Sequence, residues 1–127
     1  MSVSDEELYL LACIIDWEAN SESYEGKLAV ANVVLNRVRS SAYPNSISGV
    51  IYQRSQFSGV SDGAGSPSAK FQSRINSGLR SQACMDAAVE ALSGHNNIGG
   101  YTSFRMISAA NISSMSSYVI IGNHVFH

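Results

Sequence analysis

The stretch Trp17-Glu18-Ala19-Asn20-Ser21-Glu22, continued by Tyr24-Glu25-Gly26-Lys27-Leu28-Ala29-Val30-Ala31-Asn32-Val33-Val34-Leu35-Asn36-Arg37-Val38, decides how this chain reads. Ahead of it, Ser4 followed by Glu7 has the form of a capping box, and Leu8, Leu11, Ala12 and Ile15 recur at helical spacing. A first helix is therefore expected from Asp5 to Asn20. Within the stretch, Ser23 suits an N-cap, and Leu28, Ala31, Val34, Leu35 and Val38 mark one side of a second, largely buried helix. Arg37 and Arg39 complement the dipole at its C-terminus. Glu18 and Glu22 thus fall at the junction of two helices.

Working outward, Pro44 closes a loop and Ser46 starts a short helical segment over Ile47 to Gln53. Ser55 to Ser68 is rich in Gly and Ser, with Pro67 and the turn pair Asp62-Gly63, so a surface loop is expected there; its composition suits a cleft lining and simple flexibility equally. A helical pattern spans Gln72 to Leu92 through Ile75, Leu79, Cys84, Ala87, Ala88 and Ala91; Gly78 weakens it, with a fresh start nearby as one reading, and Ser93-Gly94 stops it. After Gly99-Gly100 the aromatic and β-branched runs Tyr101 to Ile107 and Tyr118 to Ile121 predict a hairpin, or a small sheet with a third piece at His124 to His127. The fold class is α+β, mainly helical, with a small C-terminal antiparallel β element. No repeat or second domain shows, so residues 1–127 read as one domain.

Composition narrows the function. The chain is 45% hydrophobic, enough for an ordinary core without metals or several disulfides. Charged residues supply only 14%, below the roughly 25% usual in soluble proteins, and the Ser-, Asn-, Gly- and Tyr-rich surface suits neutral, hydroxyl-rich ligands. A net charge of −2 with scattered Lys and Arg offers no basic stripe for nucleic acid. The apolar runs Leu8 to Ile15 and Leu28 to Leu35 are too short to span a bilayer. Met1-Ser2-Val3-Ser4, followed by Asp5, Glu6 and Glu7, lacks the features of a secretory signal, which leaves the export route open. Cys13 and Cys84 sit in apolar helical patterns and are expected as free, buried thiols. No Cys or His cluster has metal-site spacing, so neither a metal nor a cofactor is expected.

Glu18 is the candidate for chemistry. In the last turn of the first helix, exposed carbonyls disfavour its ionised form, and desolvation by Trp17 or the core, or repulsion from Glu22, would add to that. A carboxyl group kept protonated near neutral pH can protonate a leaving glycosidic oxygen. The commoner fate of a glutamate at such a position is a solvated helix end.

The quoted stretch, together with Tyr43-Pro44-Asn45-Ser46-Ile47, Val50-Ile51-Tyr52-Gln53, Gln56-Phe57-Ser58 and the terminal Ile121-Gly122-Asn123-His124-Val125-Phe126, resembles the SleB/CwlJ cell wall hydrolase family, which includes spore cortex-lytic enzymes. The resemblance covers nearly the whole chain; its first block and the terminal Gly-Asn-His-Val-Phe are the specific parts. It implies a lysozyme-like or lytic-transglycosylase-like helical core, no metal, and cleavage of peptidoglycan glycan strands with Glu18 as the catalytic glutamate. Action at the bacterial cell wall or spore cortex follows, in a sporulation, vegetative or phage setting; protein partners stay unknown. The chain departs from the usual pattern at Asn20-Ser21, which bears on the contacts around Glu22.

An ordinary glycosidase needs a second carboxylate. Glu22, Glu25, Asp16 and Asp62 are the candidates: Asp16 should face elsewhere on the helix, Asp62 reads as a turn residue, and Glu22 is best placed by spacing, although a turn-closing role explains it equally well. A lytic transglycosylase avoids the requirement, because the muramic 6-hydroxyl attacks internally and one carboxyl serves as acid and then base; attack by water stays open. For substrate binding, Glu22, Gln56, Phe57, Tyr101, Phe104 and His124 are expected to contribute. Two rival readings compete: a Cys–His amidase or peptidase using Cys13, whose mid-helix setting opposes thiolate formation, and a noncatalytic glycan-binding module.

Overall fold

The computed structural model describes residues 3–127; Met1 and Ser2, the start of the N-terminal signal reading, lie outside the described residues. Helix α1, Asp5–Ala19, begins at Ser4, whose hydroxyl accepts a hydrogen bond from the Glu7 amide. The reciprocal half of a capping box does not form: the Glu7 carboxylate instead accepts from the Ser48 amide at 3.2 Å, tying α1 to a short helix α3, Ile47–Ile51. Between them runs α2, Tyr24–Arg39, capped by Ser23. All of Gly26 to Arg37 is buried, so the helix is enclosed on every side rather than along one stripe.

Four polar residues on this enclosed helix need partners, since an unpaired buried polar group costs about 1–3 kcal/mol. Lys27 donates to the Asn20 and Glu22 carbonyls. Asn32 donates to the Leu28 and His95 carbonyls, Asn36 to those of Gly99 and Tyr101, and Arg37 Nε to that of Thr102. One face of α2 therefore holds the 95–102 connection that leads into the sheet.

The helical pattern expected over Gln72 to Leu92, with a fresh start near Gly78 as one reading, is two helices: α4, Ala69–Ser77, and α5, Gln82–Leu92. Gly78, at φ +81°, adopts the left-handed backbone that ends α4, and Ser81 caps α5 anew. Helices α1, α2 and α5 pack mutually around Leu11, Ile14, Ile15, Leu28, Leu35 and Ala88. Burying a Leu or Ile side chain contributes about 1.5–3 kcal/mol, so this trio is the main source of stability. No helix among the described residues is long and apolar enough to cross a membrane.

Three short strands, β1 (Phe104–Met106), β2 (Val119–Ile121) and β3 (His124–Phe126), form an antiparallel sheet in the order β1-β3-β2. Phe104 pairs with Phe126, and Phe126 with Val119, so the third piece is the central strand. The fold is thus α+β and mainly helical, as expected.

Candidate active site

Three elements meet at the C-terminal end of α1. Trp17 Nε1 donates to the Ser58 carbonyl at 3.1 Å, and its ring stands edge-on to Phe71. This joins the helix end to the 55–68 loop. On the other side, the Glu22 carboxylate accepts from the Asn123 amide at 3.0 Å and from its side-chain amide at 3.1 Å. This joins the α1–α2 junction to the β2–β3 turn. Glu18 lies between the two attachments.

Its carboxyl is half-buried and, among the described residues, makes no hydrogen bond or ion pair with a side chain. Burial alone pushes its pKa up from 4.5 to about 7. Glu22 is directed to Asn123, so the anticipated like-charge repulsion is not a cause. At neutral pH a large fraction of Glu18 carries its proton while the group stays open to solvent on one side.

Each of the other four candidate carboxylates has a partner. Asp16, fully buried, bonds Arg80 Nε at 3.0 Å and lies 3.2 Å from Arg74 Nε, linking α1 to α4 and to the turn before α5. Asp62 accepts from the Ala64 and Ser66 amides within its own loop. Glu25 accepts from Asn97 Nδ2. Glu22, with a side chain only 5% exposed, has its pKa lowered chiefly by the Asn123 amide.

The 55–68 loop is built rather than loose. A bridge pairs Ser61 with Pro67, Ser68 Oγ donates to the Gly59 carbonyl, and Phe57 and Val60 are buried in the core. An open cavity of about 520 Å³ runs along it past Ser55, Ser58 and Asp62. Gln56 stands exposed on the loop; Phe57, 4% exposed, lies under the Arg37 guanidinium and tilts against Phe104.

Phe104 in turn packs on His124 and Phe126, so loop and sheet share an aromatic floor. His124 is buried, and burial lowers its pKa while Glu22 opposes the shift. Its Nδ1 is 3.8 Å from Glu22 Oε1, a contact between a mostly neutral ring and a carboxylate rather than a full ion pair. Tyr101 is partly exposed and borders a second cavity, of about 750 Å³. Glu18 does not line either cavity. The structure thus joins Glu22 to His124, and Phe57 to Phe104 and His124, and leaves Gln56 and Tyr101 on separate rims.

Residues to which the sequence assigned no part in the site hold this arrangement: Asn32, Asn36, Arg37, Arg74, Arg80 and Asn123. For Asn32 and Asn36 a signal was present, since polar residues four apart in an apolar helix require buried partners. Cys13 and Cys84 are buried free thiols, and burial pushes the Cys13 pKa to about 11.

A cell wall hydrolase family model matches residues 21–127, beginning just after Glu18. The spore cortex-lytic enzyme of Halalkalibacterium halodurans is 32% identical over 126 residues, covering 97% of this chain and 35% of that protein. The spore cortex-lytic enzyme of Bacillus subtilis is 45% identical over 60 residues, covering 47% of this chain and 20% of that protein. The chain therefore spans only a minor part of the length of these relatives. The catalytic domain of the Bacillus cereus SleB protein superposes with a TM-score of 0.81 at 27% identity, covering 98% of this chain and 91% of the other. That of the germination-specific lytic transglycosylase SleB from Bacillus anthracis gives 0.79 at 26% identity, covering 98% and 96%. Family match, relatives and fold agree: the chain belongs to the cell wall hydrolase family.

Proposed function

We propose that this chain cleaves the glycan strand of peptidoglycan between muramic acid and N-acetylglucosamine as a lytic transglycosylase, with Glu18 as its single general acid and base. One contrast carries the reading. Glu18 is the carboxyl raised toward neutrality and left without a partner, whereas Asp16, Glu22, Glu25 and Asp62 all serve the fold. A transglycosylase needs only this one carboxyl, whereas an ordinary hydrolase would need a second.

In the proposed reaction the Glu18 carboxyl gives its proton to the glycosidic oxygen as the C1–O bond breaks. The carboxylate left behind takes the proton of the muramic 6-hydroxyl, whose oxygen bonds to C1. The products are a free 4-hydroxyl on the departing sugar and a 1,6-anhydromuramic end, and Glu18 regains its proton. Internal attack supplies the nucleophile at high effective concentration.

Gln56, exposed, and Tyr101, partly exposed, would contact amides and hydroxyls of the substrate. Glu22, Phe57, Phe104 and His124 would act from below by fixing loop and sheet around the helix end. Similarity to spore cortex-lytic enzymes and to the SleB catalytic domains supports a bacterial cell wall or spore cortex target.

Digestion of purified sacculi and spore cortex, followed by mass spectrometry, tests the reading. Anhydromuramic ends, each one water lighter than a reducing end, support it. Reducing ends would establish a hydrolytic muramidase, and the absence of soluble fragments a binding module.

A further inference from the structure

Charge is divided unevenly along the chain. Residues 91–127 contain no Asp or Glu and a single Lys or Arg, Arg105; every acidic residue precedes residue 91. Arg37, Arg74 and Arg80 are engaged by carbonyls or by Asp16. Arg105 is exposed and, among the described residues, has no salt bridge or side-chain hydrogen bond.

Side chains alternate along β1, so Arg105 projects from the face opposite Phe104 and the aromatic floor. The cavity of about 750 Å³ is formed where Arg105 meets the chain at 109–117. Tyr101, Asn111, Ser114, Ser117 and His127 also line it, and no acidic residue does. His127 adds a buried ring nitrogen, Nε2, with no hydrogen-bond partner.

An unneutralised guanidinium ringed by hydroxyls, an amide and an imidazole recognises a carboxylate flanked by peptide groups. The volume lies within the roughly 300–1,000 Å³ of small-ligand sites and far exceeds what a bare anion needs. We propose that this cavity binds the free carboxylate end of the peptide stem carried by muramic acid, apart from the bond cleaved at Glu18. The inference rests on the peptidoglycan reading above. A four-residue stem extends about 13 Å away from the glycan strand.

The test is a titration of the isotopically labelled full chain with a soluble muramyl tetrapeptide, followed by NMR. The expected result is shifts at Arg105 Nε–H and at the amides of 101 and 114–117, with binding about tenfold weaker for the C-terminal amide of the peptide and for Arg105→Ala. Arg105→Lys should recover part of the loss. Equal binding of acid and amide, shifts confined to the α1 end, or inorganic phosphate binding as tightly as the peptide would each overturn the proposal. A digestion arm separates it from the parent reading: Arg105→Ala should slow release from stem-bearing strands while leaving strands stripped of stems unaffected. If the unmutated chain digests neither substrate, the glycan-cleavage reading fails, and the titration still decides the cavity.

Discussion

A carboxyl poised to donate a proton near neutral pH should weaken the fold that holds it, and Glu18→Gln measures that cost. In the unfolded chain Glu18 ionises at its ordinary value of 4.5; in the folded chain burial moves this to about 7. The folded state therefore holds the proton more tightly. Glu18's contribution to stability is fully present below pH 4.5 and is lost as pH rises through 4.5 toward 7, above which the folded state carries a half-buried charge. At about 1.4 kcal/mol per pH unit the upper bound is about 3 kcal/mol, and solvent reaching the open side of the group reduces it to about 1–3 kcal/mol. Glutamine keeps the shape and removes the charge. Urea unfolding followed by Trp17 fluorescence at pH 4 and pH 8 gives the difference between the two proteins at each pH. Any constant offset from the amide cancels when the two differences are compared. Glu18→Gln should gain about 1–3 kcal/mol on the unmutated chain between pH 4 and pH 8. An offset that does not change with pH would refute the argument that burial raises this carboxyl.

Other consequences concern the frame. Asp16→Ala leaves Arg74 and Arg80 facing a void and should cost about 3–5 kcal/mol in chemical denaturation; a loss below about 1 kcal/mol would contradict its role as the tie between α1, α4 and the turn before α5. Gly122 sits at φ +59°, and a Cβ there would lie 2.6 Å from Glu22 Oε1. Gly122→Ala should cost about 1–3 kcal/mol, and combination with Glu22→Ala should cost less than the two single losses added, which a double-mutant cycle reads directly. With the Cys13 thiol at about pKa 11 and buried, iodoacetamide at pH 8 should leave the folded chain unmodified and its cleavage rate unchanged. Rapid alkylation with loss of activity would revive a cysteine mechanism.

Much of the helical layer was legible because local rules and burial agreed. Ser4, Ser23 and Ser46 cap the helices where their spacing placed them, and the apolar periodicity located α1 and α2 but not the extent of their burial, which is continuous over Leu10–Asp16 and Gly26–Arg37. The break at Gly78 was signalled by the glycine, but the apolar pattern on both sides was continuous, so only the left-handed backbone separates α4 from α5. At the site, periodicity showed that Asp16 and Glu18 diverge on the helix, and no more. That Asp16 is neutralised by Arg74 and Arg80, or that Glu22 reaches Asn123 across 101 positions, depends on long-range packing that no spacing rule encodes. The strand order β1-β3-β2 was hidden for the same reason: three-residue strands carry too little alternation to fix a register.

In the proposed reaction the Glu18 carboxyl moves the proton during glycan cleavage. The most direct test of that role is the rate of soluble muropeptide release from purified sacculi by Glu18→Gln, with the folded state of the variant verified by circular dichroism. A fall of about 10²–10⁴-fold with murein binding retained is the expected result. Release at the unmutated rate by the folded variant would contradict it.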